Sequence, residues 1–144
     1  MGTFRDNMNQ EWTLTLTMGR IRKLSSRLGI DLMNPEQLCQ LSSSLTDRMA
    51  FVFLLCEDQA REYEIDADEF EERLSGDGFV DAASDALMAT VVDYLRRFGQ
   101  GQLAKLAQKQ LEVMQLARGR LNVLVESGEF DNLLNQAAAE VLAE

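Results

Sequence analysis

The chain of 144 residues contains no histidine, one proline and two cysteines. The absence of histidine removes the commonest general base near neutral pH and the commonest transition-metal ligand together. Cys39 and Cys56 form no Cys-x-x-Cys pair and follow no secretory leader, so two buried free thiols in a reducing compartment are expected, and no disulfide. A nucleophilic Cys56 would need a base, and histidine is not there to supply one. The longest apolar run, Ala50 to Cys56, is far short of the roughly twenty residues that cross a bilayer. The opening Met1-Gly2-Thr3-Phe4-Arg5-Asp6 lacks the apolar core of a signal peptide, and Asp6 stands where an acylation signal carries serine or threonine. A cytoplasmic protein with no membrane association is the expectation.

What is present suits one helical domain. A hydrophobic share of 46% argues against wholesale disorder, and the length allows a core without metal or disulfide support. The net charge of -10 is unevenly placed: Glu57 to Asp81 holds eleven acidic and two basic residues, whereas residues 95 to 120 hold six basic and one acidic. Residues 1 to 30 are also net basic. Such a balance disfavours nucleic acid, whose phosphates demand clustered Lys and Arg with little competing acid. The basic segments are expected to face the acidic one, or a partner.

The organising stretch is Glu11 to Leu32. Trp12, Leu14 and Leu16 alternate with threonines, the period of a strand with one buried face. Met18, Ile21, Leu24 and Leu28 then recur at helical spacing, with Thr17 as cap and Gly29 as stop. Thr3-Phe4-Arg5 and the Asp6 to Gln10 turn complete a hairpin. Two strands alone are marginal in water, so Trp12, Leu14 and Leu16 either pack on helices or pair with a second copy of the hairpin, making a homo-oligomer.

Asn34-Pro35-Glu36-Gln37 starts a short helix to Leu41. After Ser42-Ser43-Ser44, Thr46 is expected to cap the most buried helix, apolar nearly all round from Met49 to Cys56. Asp66 to Glu69 reads as a capping box opening an acidic helix that contacts the core through Phe70 and Leu74 and ends near Gly76. Helices are expected from about Phe79 to Phe98 and Gln102 to Val125, then an amphipathic segment with Phe130, Leu133, Leu134, Ala137, Ala138 and Val141. The fold class is therefore mostly α: an N-terminal β-hairpin and a bundle of about five to seven helices, with a long C-terminal helix either core or arm. Residues 1–98 would form hairpin plus core and 99–144 the arm, unless 1–144 is one domain.

No constellation carries chemistry. Ile65, Asp66 and Glu69 imitate positions eight, nine and twelve of a calcium loop, but counting back puts Ala60 at three and Tyr63 at six, where the loop needs an oxygen ligand and a glycine. Glu71 and Glu72 read as a solvated helix face. No catalytic, cofactor or metal residue is assigned. The stripe Leu103, Leu111, Met114, Leu121 and Leu124 has two readings: it packs on the domain's own helices, or it receives another protein's apolar helix.

Phe4-Arg5-Asp6, Glu11 to Thr17, Gly19 to Leu24, Leu28 to Leu32 and the later Asp66 to Phe70 helix resemble, over roughly residues 4 to 95, small tail assembly chaperone-like proteins of tailed phages and prophages. The resemblance implies a non-enzymatic helper that coats the helical tape-measure protein, brings tail-tube protein to it and is absent from the mature particle. The alternative is a small acidic regulatory or structural adaptor, monomer or dimer, that binds a folded partner through the acidic flank.

Overall fold

The computed structural model describes residues 2–143, without the side chains of Glu129, Phe130 and Ala143. Strands β1 (Gly2–Arg5) and β2 (Glu11–Leu14) form an antiparallel hairpin in which Phe4 faces Trp12. Seven helices follow among the described residues: α1 (Met18–Leu28), α2 (Pro35–Ser43), α3 (Leu45–Glu62), α4 (Ala67–Arg73), α5 (Phe79–Arg97), α6 (Gly101–Ser127) and α7 (Glu129–Ala143). The mostly helical class with an N-terminal hairpin is thus the observed one. None of these helices is long and apolar enough to cross a membrane.

Local chemistry explains most helix ends. The Thr17 hydroxyl accepts from the Arg20 amide, and Gly29 closes α1 in the left-handed region at φ 68°. Asn34 caps α2 by accepting from the Glu36 and Gln37 amides, with Pro35 in the first turn. Asp66 caps α4 by accepting from the Glu69 amide. The α3 start differs from expectation: Ser44, not Thr46, is the cap and accepts from the Asp47 amide. Arg48 contributes to fixing that start, because its guanidinium donates to the carbonyls of Leu41 and Ser42 at the end of α2 and to the Ser84 hydroxyl on α5. A buried cation there meets the negative end of the α2 dipole, just ahead of the apolar run from Met49 to Cys56, of which Phe51, Val52, Leu54, Leu55 and Cys56 are buried.

The hairpin lies on α3 and α5, and its apolar face is spent within the chain. Trp12 and Leu14 are fully buried and Leu16 nearly so. The ladder stops at Leu14, whose partner is Gly2, so Leu16 is packed without being in a strand. Trp12 meets Phe70 edge-on at 4.9 Å between centroids, and Phe53 leans on the same ring at 5.3 Å. Both edges of the hairpin are capped. On β2, Gln59 of α3 accepts from the Thr13 amide (3.1 Å) and donates to the Glu11 carbonyl (2.7 Å). On β1, the Gly2 amide donates to the Thr90 hydroxyl of α5 at 3.0 Å. The pairing of Trp12, Leu14 and Leu16 with a second hairpin therefore has neither a free apolar face nor these edge groups to use.

The turn between the strands is held from inside. Asp6 accepts from the Met8 and Gln10 amides through Oδ1, and through Oδ2 from the Trp12 indole at 3.0 Å and from Arg73 at 3.3 Å. Asn9 takes a positive φ of 62°, as its place in the turn suggested. Basic α1 does face acid, since Arg20 pairs with Asp58 at 3.2 Å and Arg27 with Glu57.

The chain divides into two compact units, Met1–Leu111 and Glu112–Glu144. The division falls inside α6 and not at the glycine spacer after Phe98, because Ala104, Ala107 and Leu111 are buried. The first turns of α6 belong to the core of the first unit.

Candidate partner-binding face

The stripe Leu103, Leu111, Met114, Leu121 and Leu124 is divided by the structure. Leu103 is half-buried and Leu111 buried, both in the first unit. Met114 and Leu124 are half-buried and Leu121 is 50% exposed, all in the second unit. These five side chains do not make one open groove. The reason is the reach of the core: Leu103 and Leu111 are spent in the first unit, and beyond it α6 exposes a further face about half a turn from Met114 and Leu121.

That open face is a shallow groove bounded by Leu116, Gly119, Arg120, Val123 and Leu124, with Gln115 beside it. Leu124 alone was foreseen among its residues. Leu116 is 68% and Val123 61% exposed, and between them Gly119 has nothing within 4 Å of where a β-carbon would stand. The glycine is a notch: it weakens the helix by roughly 1 kcal/mol relative to alanine and lets another backbone approach. The signal for this face was present in the sequence, since Leu116 and Val123 lie seven apart and Gly119 is three from Leu116. The more regular leucine stripe masked it.

Apolar exposure continues along the second unit. Val113 and Val125 on α6, and Leu133, Leu134, Val141 and Leu142 on α7, are all more than half exposed. Phe130, named with the α7 stripe, lies outside the described side chains. Helices bearing such stripes bury them against something in their working state.

Reactive chemistry has little footing elsewhere. Cys56 is buried, and burial pushes its thiol up to about 12 despite the nearby Arg20 charge, so it is not a thiolate at neutral pH. Cys39, expected to be buried, is exposed on α2, with the Gln110 amide donating to its sulfur at 2.9 Å. Both thiols are free. Among the described residues no group of three or more acidic or cysteine side chains is placed to hold a metal ion. Asp66, the calcium-loop imitation, is engaged as the α4 cap.

Comparison with protein-family models, with curated proteins and with solved structures finds no match to this chain.

Proposed function

We propose that this chain is a non-enzymatic binding protein that covers apolar helical surface of a partner through the distal half of α6 and α7. The observation that carries the reading is the exposure of valine and leucine side chains from Val113 to Leu142, with the notch at Gly119 between Leu116 and Val123. Apolar side chains on helices find shape-matched partners in other amphipathic helices, which read as anchors at three- and four-residue spacing. Taken with the resemblance of residues 4 to 95, the reading becomes a tail assembly chaperone. Its client would be the tape-measure protein, a long helical chain whose apolar stripes stand in water until tail-tube protein encloses it. The strong negative charge favours release over irreversible clumping, because acidic copies repel one another. Cytoplasmic action and absence from the finished particle belong to the same proposal.

Co-expression tests it. With a long, helix-rich tape-measure chain encoded beside this one, the expected result is a soluble complex that co-purifies. The paired changes Leu116→Lys and Val123→Lys should remove the complex, while the thermal midpoint of the chain alone stays within about 2 °C, since both side chains are exposed. A complex that survives both lysines, or no complex and no gain in solubility with the unaltered chain, sinks the proposal.

A further inference from the structure

A second apolar groove lies in the first unit, and its observations are independent of the α6 face. It is lined by Met49, Ala50 and Phe53 of α3, by Phe70 of α4 and Leu74 at that helix's C-terminal cap, and by Val80 at the start of α5. The volume is about 450 Å³, and Leu45, 46% exposed, also lines it. From Leu45 to Phe53 the α3 wall runs about 12 Å, two turns of helix. Met49 supplies an adaptable side chain along it.

Along α4 and the turn after it, the charge beside the groove is mostly acidic. Glu71 lines it, and Asp68, Glu72 and Asp77 stand exposed on α4 and the turn that follows. Arg73, the one cation of α4, is drawn away by Asp6 at 3.3 Å and Glu69 at 3.2 Å. Among the described residues no lysine or arginine lines the groove. Residues 121–144 carry five acidic and no basic side chains, so the C-terminal apolar helix of a second copy has the wrong sign to fill it.

We propose that the groove between α3, α4 and α5 is a docking site for an amphipathic helix of a partner protein, with apolar anchors over about two turns and lysine or arginine beside them. The anchors pack over the touching Phe53 and Phe70 rings, which lie 5.3 Å apart between centroids, and the cations meet Glu71 and its acidic neighbours. Complementary charge fixes the direction and the selectivity of such a contact, while the apolar floor supplies its affinity.

Two labelled helical peptides test this against the full-length chain by fluorescence anisotropy. Both carry leucine at i, i+3, i+4 and i+7; one has lysine at the flanking positions and the other glutamate. The lysine peptide should bind at least about tenfold more tightly, and added salt should erode that preference. Leu45→Lys and Glu71→Lys should each weaken it by about tenfold, whereas Leu116→Lys with Val123→Lys on α6 should change nothing. Glu71 is exposed, so its variant decides the matter if Leu45→Lys lowers the thermal midpoint. Equal binding of the two peptides, or binding removed by the α6 pair and not by the groove changes, overturns the proposal. So does a dimer in sedimentation that Leu45→Lys dissociates, because a second copy would then be the occupant.

Discussion

Asp6 sits in a five-residue turn and ties it to the core. Its carboxylate is buried and receives four hydrogen bonds, from two turn amides, the Trp12 indole and Arg73. Burial pushes its pKa up, but the bonds from Trp12, Gln10, Met8 and Arg73 outweigh that, and the net position is below the ordinary 3.8. A carboxyl depressed on folding stabilises fully above its unfolded pKa of about 3.9. That contribution is lost as pH falls from there through the folded value, because the unfolded chain binds more protons in that interval. Asp6→Asn should therefore cost about 3 kcal/mol at pH 7, where it leaves Arg73 without its buried partner. The gap between variant and parent should close below the folded pKa, where the parent also lacks the charge. Urea denaturation at the two pH values measures it; an equal gap at both would mean that the carboxylate charge contributes nothing.

At the scale of elements, caps were legible where one residue type stood alone and unreadable where several competed. Thr17, Asn34 and Asp66 each stand where the sequence placed a helix start, and each caps its helix. Before α3 the run Ser42-Ser43-Ser44-Leu45-Thr46 offers four hydroxyls, and the choice fell to Ser44 with Arg48 tying α2, α3 and α5 together. Arg48, Gln59 and the bonds of Asp6 to Trp12 and Arg73 escaped the sequence reading for one reason: each answers backbone or side-chain groups made adjacent only by folding. The division of the leucine stripe was likewise invisible, since periodicity marks an apolar face but not how far along a helix the core reaches. If Ser44 is the working cap, Ser44→Ala should lower stability by about 1 kcal/mol. Thr46→Ala, at an exposed position, should stay within about 0.5 kcal/mol of the parent. Thermal unfolding of the two variants side by side separates them, and a larger loss at Thr46 would return the helix start to that residue.

The two compact units differ in what holds them. Among the described residues, every side chain of the buried core, from Phe4 to Leu111, lies in the first unit, while the second leaves valine and leucine in water on both its helices. A helix without tertiary burial is only marginally stable, because nucleation is costly and each added residue contributes little. Local opening should then be far cheaper from Val113 onward than in α5, where Leu87, Val91 and Leu95 are fully buried. Hydrogen exchange on the free chain should show amides between Val113 and Val125 exchanging at least about a hundredfold faster than those around Val91. Adding a partner that covers the second unit should slow exchange there and leave α5 unchanged, because a ligand stabilises only the segments it orders. Equal protection of both units in the free chain would place the apolar face of α6 in an ordered contact already, and the work attributed to it would have to move to the groove beside Phe70.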